Sequence, residues 1–348
     1  MKRFFLHAGA FSFCAVILLI ACSVWSLGPS GHYIGTWALT IDGGAGPGSS
    51  AGWMELRQEE GYLDADLLWR WGSVEPVASA MIKGDNLVVT RDWLYERRKD
   101  ADGNAIRSHH LTSWFEFEPQ GKDRLKGMAF IPDGKGQEYE IWPFSATRLP
   151  AMPAAPDLAK VRYGAPVGLF NGKDLSAWEL INPKDANGWR VENGVLVNEP
   201  KQTEGKPHVN YGNLRTKQVF GDFRLAFGVN VPEGSNSGVY LRGIYEIQVA
   251  DSYGKPLDPH NMGAVYSRVT PSAAAEKPAG QWQDMDITLC DRHVTVILNG
   301  RKIIDNKPVP GVTGGALTPD VAAPGPLYLK GDHGVVMYRD IVLTPIVE

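Results

Sequence analysis

Short segments in which apolar and polar residues alternate recur along the chain from residue 35 to residue 345. Stretches with the period of an α-helix are nearly absent. Turn signals such as Asn299-Gly300 separate the segments at hairpin spacing, and the chain contains 39 glycines and 24 prolines. Alternation with a period of two is typical of strands that bury one face. The sequence therefore predicts an all-β protein.

A proline-rich stretch, residues 149–166, divides the chain. It carries these prolines among small residues: Pro150, Pro153, Pro156 and Pro166. Such a composition indicates a stiff connector. At 348 residues the chain is long enough for two hydrophobic cores. We therefore expect one domain over residues 28–148 and a second over residues 167–348.

The first domain contains roughly eight short strands, which is typical of a small closed antiparallel barrel. Its opening Gly35-Thr36-Trp37 resembles the first strand of lipocalin-like barrels. Trp69 and Trp71 occupy alternate positions, and we expect them to fill the barrel core rather than to line a ligand cavity. The second domain contains further short strands, which suits a two-sheet jelly roll.

The first 27 residues have the features of an export signal. Lys2 and Arg3 precede an apolar run over residues 4–21. The run ends in Leu19-Ile20-Ala21-Cys22, which resembles a bacterial lipobox, so Cys22 is the expected site of lipidation. An uncleaved anchor is the alternative, since residues 24–27 extend the run to a length that could span a bilayer. In both cases we expect an exported, membrane-anchored protein, periplasmic or on the outer surface.

Composition excludes several classes of function. The formal net charge of −4 leaves no basic footprint, so nucleic acid is not an expected partner. Removal of Cys14 with the signal and lipidation of Cys22 would leave only Cys290. Cys290 ends an alternating segment, which predicts a buried structural thiol. A disulfide framework and a cysteine-based metal site are therefore not expected.

One segment, residues 239–251, carries an unusual row of polar side chains. Read as a single strand, it places apolar side chains on one face and multidentate hydrogen-bonding side chains on the other: Tyr240, Arg242, Glu246 and Gln248. Such side chains suit a polyol, because each hydroxyl both donates and accepts hydrogen bonds. Residues 222–230 and 264–268 show similar rows. The pattern favours a sugar-binding face, and a solvated face with cross-strand Arg–Glu pairs is the alternative.

Motifs in a fixed order run through residues 167–348. The series opens with Leu169-Phe170-Asn171-Gly172-Lys173-Asp174-Leu175-Ser176-Ala177-Trp178 and closes with Leu329-Lys330-Gly331-Asp332-His333-Gly334 and Tyr338-Arg339-Asp340-Ile341. Between them lie the segments 189–196, 220–223, 234–243, 245–252, 263–266 and 299–300. This series resembles the 3-keto-disaccharide hydrolase family over essentially the whole second domain.

The resemblance implies a concanavalin-like jelly roll with 3-keto-glycoside 1,2-lyase or 3-keto-2-hydroxyglucal hydratase activity. The implied partner is an oxidised (3-keto) saccharide or glycoside. The sequence departs from the family pattern at Lys330, where relatives more often have Gln, and at residues 267–271, where they often have a proline-rich turn. Both departures bear on substrate choice.

In the implied reaction the C2 proton of the 3-keto sugar is removed and the C1 substituent leaves. The enzyme must supply a base near C2, a hydrogen-bond donor or cation at the C3 oxygen, and an acid that protonates the leaving oxygen. It does not need the carboxylate pair of ordinary glycosidases. The resemblance points to these proton-transfer candidates, the first two above the third: Glu246, His333 and Tyr266. Candidates that would bind the substrate are Arg242, Lys330, Gln248, Tyr240, Asp251 and Arg268. For Asp251 a turn cap is an equal alternative.

The sequence indicates no definite cofactor, and a divalent cation held by Glu246 and His333, which would polarise the C3 ketone, is kept as an alternative. Three functions follow as hypotheses. The first is an exported enzyme that cleaves 3-keto-glycosides by elimination, hydration or both. The second is a non-catalytic carbohydrate-binding surface lipoprotein, because a fold does not fix a function. The third is a structural surface protein whose first domain docks a partner.

Overall fold

The computed structural model describes residues 29–43 and 50–347. In this part of the chain the structure is all-β, with a single turn of 3₁₀ helix at Pro29–His32. The predicted export signal and Cys22 lie outside the described residues. No helix among the residues described is long and apolar enough to cross a membrane.

The amino-terminal part consists of nine strands: β1 (Gly35–Ile41), β2 (Ala51–Gln58), β3 (Leu63–Leu68), β4 (Glu75–Pro76), β5 (Ser79–Lys83), β6 (Asn86–Lys99), β7 (Ala105–Pro119), β8 (Arg124–Pro132) and β9 (Tyr139–Arg148). Neighbouring strands pair in the order β2-β1-β9-β8-β7-β6-β5-β3, and a pairing between β2 and β3 closes the ring. The predicted closed antiparallel barrel is thereby confirmed, with eight strands in the ring and β4 on the outside of β3.

Aromatic side chains fill the barrel. Phe115, Phe117 and Phe144 are buried, and the Trp69 ring packs edge-on against Phe115 at 5.0 Å between centroids. Trp69 therefore lies where the sequence predicted it. Trp71 does not, because it is 56% exposed. The strand β3 ends at Leu68. Arg70, between the two tryptophans, has a left-handed backbone (φ 68°), which breaks the alternation that would have placed both rings inside the barrel.

The carboxy-terminal part consists of fourteen strands: β10 (Arg162–Tyr163), β11 (Val167–Gly168), β12 (Trp178–Leu180), β13 (Trp189–Glu192), β14 (Val195–Asn198), β15 (Leu214–Thr216), β16 (Phe223–Asn230), β17 (Asn236–Leu241), β18 (Tyr245–Ala250), β19 (Trp282–Cys290), β20 (His293–Leu298), β21 (Arg301–Pro308), β22 (Tyr328–Leu329) and β23 (Val336–Val347). One sheet has the order β13-β14-β23-β16-β19-β20-β21, with β10 and β11 on β23. The second has the order β12-β15-β22-β17-β18.

The two sheets enclose one apolar core between them. Leu225 and Ile287 of the larger sheet and Val239 and Ile247 of the smaller sheet all belong to one cluster of buried side chains. The predicted jelly-roll sandwich is confirmed. Cys290 is buried at the end of β19, and burial raises the pKa of its thiol to about 11, which suits a structural role.

Barrel and sandwich share a packed boundary. Ala51, Trp53 and Leu68 of the barrel belong to the same hydrophobic cluster as the sandwich core. The Arg268 guanidinium lies 4.2 Å from the centre of the Trp53 ring. A Cβ on Gly311 would come within 2.0 Å of that indole, so a glycine is required there for the two parts to meet.

The proline-rich connector is also held in place. Leu149 donates its N–H to the Thr36 carbonyl of the barrel at 2.9 Å. Arg292 and Asn306 of the sandwich donate to the carbonyls of Pro150 and Pro156. These bonds fix the connector against both parts, so the orientation of the barrel does not depend on the connector's stiffness alone.

We expect Trp53→Ala to lower the free energy of unfolding by about 3–5 kcal/mol, because it leaves a cavity at the boundary. Tyr62→Ala removes an aromatic ring that is 61% exposed and should cost no more than about 0.5 kcal/mol. Urea unfolding followed by fluorescence and circular dichroism measures both. Equal losses in the two variants would contradict the packed boundary.

Candidate active site

The polar row predicted over residues 239–251 does not lie on one strand. The chain reverses at Arg242-Gly243-Ile244, where Arg242 and Gly243 have left-handed backbones (φ 53° and 70°), so β17 and β18 form a hairpin. The single-strand prediction was wrong because this turn carries no proline or Asn-Gly signal. In the hairpin Tyr240 pairs with Glu246, so both side chains still lie on one face.

A buried ion pair occupies this face. Lys330 Nζ lies 2.7 Å from Glu246 Oε1, and the Tyr240 hydroxyl lies 2.7 Å from Glu246 Oε2. The carboxylate fits because its neighbour on β17 is Gly238, where a Cβ would come within 2.2 Å of Oε1. Burial raises the pKa of Glu246, and the Lys330 ammonium opposes that rise.

The Tyr240 hydroxyl has one proton and two acceptors in reach. Besides Glu246 Oε2, the Gly314 carbonyl lies 2.6 Å away. The hydroxyl proton is therefore shared between the Glu246 carboxylate and the Gly314 carbonyl. The Tyr240 ring stacks on Tyr328 at 3.8 Å between centroids, and Tyr328 donates to the Gly315 carbonyl. The floor of the site is therefore rigid and apolar.

Lys330 is the member of the pair that reaches the surface. Its side chain is 15% exposed, while that of Glu246 is 1% exposed. The ammonium lies 5.4 Å from the centre of the half-buried Tyr266 ring, and the edge of that ring meets the His260 imidazole at 4.8 Å between centroids. A ligand above the pair would meet Lys330, Tyr266 and His260 before it could meet Glu246.

Gln248 lies on the same face, paired with Gly238. Its Nε2 donates to Asn236 Oδ1 at 3.2 Å, while its Oε1 is buried and has no partner among the residues described. A buried acceptor without a donor is costly unless a ligand or water supplies one. Gln248 therefore adds a free acceptor to the site.

His333 lies at the rim, in the loop that follows Lys330. The imidazole is exposed, while desolvation by the protein around it and the Lys330 charge lower its pKa to about 4. Asp332 holds the loop, because its Oδ1 accepts the Tyr211 N–H at 2.7 Å and its Oδ2 lies 2.9 Å from His208 Nε2. His333 is therefore neutral at neutral pH.

Three predicted substrate contacts lie elsewhere. Arg242 donates to the Val321 and Ala323 carbonyls from the hairpin turn. Arg268 donates to the Val312 carbonyl at the barrel boundary, because Ser267 (φ 56°) turns the chain away from the site, and burial lowers its pKa to about 9. Both guanidinium groups are therefore engaged by main-chain carbonyls in this structure. Asp251 Oδ2 accepts the Gly234 N–H at 3.0 Å, which is the turn cap named as its alternative.

The row predicted over residues 222–230 also lies away from this site. Its strand, β16, belongs to the larger sheet, and Arg224 on it pairs with Asp286 of β19. That face matches the solvated alternative with cross-strand ion pairs.

His260 and its partners were not among the predicted site residues. His260 Nδ1 lies 2.5 Å from Asp258 Oδ1, and its Nε2 lies 2.9 Å from Ser73 Oγ of the barrel. His260 sits in an irregular loop, and Ser73 is 187 residues away in the chain. Neither position shows a periodic or motif signal that could have joined them.

The divalent cation suggested for Glu246 and His333 has no preformed set of ligands among the residues described. Across residues 29–43 and 50–347, no three side chains of His, Cys, Asp or Glu come together as a metal site. The Lys330 ammonium also occupies the place beside Glu246 that a cation would take. The residues present therefore fit an organic substrate better than a metal ion.

Residues 165–344 match the model of the 3-keto-alpha-glucoside-1,2-lyase-like domain. The chain belongs to this family. Family membership supports a carbohydrate-active, glycoside-processing enzyme with a saccharide as its partner. All the side chains of the site except that of Ser73 lie within the family domain.

Solved structures with similar folds include two candidate glycosyl hydrolases from Parabacteroides distasonis. One is 28% identical, with a TM-score of 0.42, and covers 61% of this chain and 96% of its own. The other is 21% identical, with a TM-score of 0.42, and covers 52% of this chain and 94% of its own. Carbohydrate-binding module CBM66 from Bacillus subtilis is 11% identical, with a TM-score of 0.30, and covers 47% and 93%. None of the curated proteins compared with the chain matches it.

We expect Glu246→Ala to lower the free energy of unfolding by about 3–5 kcal/mol, because it leaves a half-buried ammonium without its partner. Glu246→Gln should cost much less, since the amide oxygen can accept from Lys330 while the amide nitrogen donates to Tyr240. Glu179→Ala breaks an exposed pair with Arg215 and should cost at most about 1 kcal/mol. Urea unfolding distinguishes the three. A cost for Glu246→Ala no larger than for Glu179→Ala would refute the buried pair.

Proposed function

We propose that this protein cleaves 3-keto-glycosides by eliminating the C1 substituent across C1–C2, with or without later addition of water. The single observation that carries the proposal is the Lys330 ammonium, fixed at the surface of the site by the buried Glu246 carboxylate. A C3 ketone makes the C2 hydrogen acidic, and its removal places negative charge on the C3 oxygen. A preorganised cation at that oxygen lowers the barrier.

His333 is the base in this proposal. Its lowered pKa keeps the imidazole unprotonated at neutral pH, so it can accept the C2 proton, and that ability is lost only as the pH falls through about 4. His333 follows Lys330 by three residues in the same loop, so in this proposal the imidazole takes the C2 proton while the ammonium meets the C3 oxygen of the same sugar. Tyr266, whose ring centre lies 5.4 Å from Lys330 Nζ, bounds the sugar.

Glu246 was the first candidate for the base in the sequence analysis, but in this proposal it is not the base. Its carboxylate is covered by Lys330 and Tyr240, so we assign it as a positioning residue that aims the ammonium. Gln248 lies beside Glu246 on this face, and its buried Oε1 adds an acceptor beneath the sugar. A glutamine in place of Lys330 could also donate its amide N–H₂ to the C3 oxygen. The lysine adds a full positive charge to that donor.

The purified protein, residues 28–348, should release the aglycone from a 3-keto-glucoside and not from the parent glucoside. Lys330→Met should lower kcat by about 10²–10³, the usual loss on removing one oxyanion donor. Lys330→Gln should retain more activity than Lys330→Met. Lys255→Met removes an exposed lysine on a neighbouring loop and should leave kcat unchanged.

Product release is followed by chromatography, and sugar affinity by calorimetry. Tight binding of the 3-keto-glucoside without turnover would replace this proposal with a carbohydrate-binding protein. Turnover that is the same in Lys330→Met as in the parent would refute the role of Lys330.

We also propose that the protein is exported and tethered to a membrane through lipid on Cys22, because the first 22 residues end in a lipobox-like sequence. The full chain expressed in a bacterium should fractionate with membranes and incorporate labelled fatty acid. Cys22→Ser should abolish the label. Label retained in that variant would contradict lipidation at Cys22, and unlabelled membrane-bound protein would favour the uncleaved anchor.

A further inference from the structure

A loop of the barrel, residues 70–74, contacts the sandwich beside the candidate site. Besides the contact from Ser73 to His260, Val74 donates its N–H to Ser267 Oγ at 2.9 Å, and the Arg70 carbonyl accepts the Gly315 N–H at 3.0 Å. This barrel loop lies outside the family domain, which begins at residue 165. The contacts are therefore a property of this chain and not of the domain it shares with its family.

Close packing holds the barrel loop against the sandwich. A Cβ on Gly314 would come within 2.2 Å of the Gly72 carbonyl oxygen, so the two backbones touch. Gly314 and Gly315 also supply the carbonyls that accept the Tyr240 and Tyr328 hydroxyls. The same short segment of sandwich therefore orders the floor of the site and places the barrel loop at its edge.

Ser73, His260 and Asp258 form a chain of hydrogen bonds. Asp258 Oδ1 lies 2.5 Å from His260 Nδ1 and also accepts the His260 backbone N–H at 2.8 Å. The carboxylate therefore accepts the proton on Nδ1, and Nε2 lies 2.9 Å from Ser73 Oγ. Nε2 accepts the serine proton when the ring is neutral and donates to Oγ when the ring is protonated. Ser73 and His260 are both partly exposed, so both side chains are open to solvent.

The charges around the two imidazoles differ in sign. The positive charge of Lys330 acts on His333, which follows it in the same loop, and His260 lies 2.5 Å from the Asp258 carboxylate. The other charged groups near His260 are Glu246, whose pKa it helps to lower, and Lys330, which lies across the Tyr266 ring. An imidazole near an ammonium and an imidazole hydrogen-bonded to a carboxylate suit the roles of base and acid in one site.

We propose that Ser73 is a proton relay that the barrel supplies to the site, carrying a proton from His260 to the leaving oxygen of the glycoside. This inference rests on the proposed elimination. As His333 takes the C2 proton and the C1–O bond breaks, the leaving oxygen takes the Ser73 hydroxyl proton. Ser73 in turn takes the Nε2 proton of the imidazolium. The products are an alcohol and a 3-keto-2-hydroxyglucal, and solvent restores both histidines.

The experiment compares two leaving groups in Ser73→Ala. A methyl 3-keto-glucoside releases methanol, which needs a proton, and kcat should fall by about 10²–10⁴, the usual contribution of a general acid. A 4-nitrophenyl 3-keto-glucoside releases a stable phenolate, and its kcat should fall far less. Ser73→Thr retains the hydroxyl and should recover most of the methyl-glucoside activity. Ser267→Ala loosens the same loop without touching the relay and should affect both substrates equally.

A readout independent of turnover is the ¹⁵N NMR signal of the His260 ring in the full protein. Ser73→Ala should move the Nε2 resonance, and Ser267→Ala should not. An unmoved Nε2 signal overturns the relay even if the protein is an active lyase. A moved signal in a protein that turns over no 3-keto-glycoside would support the hydrogen-bond chain and reject the proposed function.

Two further results would overturn the inference. Equal losses of kcat for both leaving groups in Ser73→Ala would mean that Ser73 has only a structural role. Covalent labelling of Ser73 by a fluorophosphonate, absent in Ser73→Ala and in His260→Asn, would identify the serine as a nucleophile for acyl transfer and not as a relay.

Discussion

The ion pair between Glu246 and Lys330 is the constraint on which the site depends. A carboxylate with an exposed fraction near zero is expensive to bury, and a single ammonium 2.7 Å away and a tyrosine hydroxyl offset that cost. The pair needs Gly238 beside it and the stacked Tyr240 and Tyr328 beneath it. The packing of the smaller sheet thus serves to hold one positive charge in a fixed place.

Much of the fold could be predicted from the sequence because strands with one buried face leave a period of two wherever they occur. The polar face of the site could be predicted for a less obvious reason. The turn between β17 and β18 contains three residues, so even-numbered positions pair with even-numbered positions across the hairpin. Tyr240, Glu246 and Gln248 therefore share a face although they do not share a strand. Arg242 lies inside the turn, where alternate residues no longer fall on the same face.

The rest of the site has no local signature. Arg268 leaves the predicted row because one residue, Ser267, adopts a left-handed backbone, and such a residue cannot be foreseen when it is not glycine or asparagine. The contact from Ser73 to His260 joins two irregular loops in separate parts of the chain. Lys330 and His333 stand out only through a family motif. Sequence periodicity shows which residues share a face of a strand. Residues that meet where two loops come together can be identified only from the tertiary structure.

The position of β23 has a consequence for the order in which the protein folds. This strand is the last in the sequence, yet it pairs with both β14 and β16 in the middle of the larger sheet. The barrel closes through pairings among its own residues and can fold as soon as residue 148 has been made. The sandwich cannot close until residues 336–347 are present. A chain that folds from its amino-terminal end therefore has a closed barrel and an open, apolar half-sandwich, and the second half is the part more exposed to aggregation until β23 pairs.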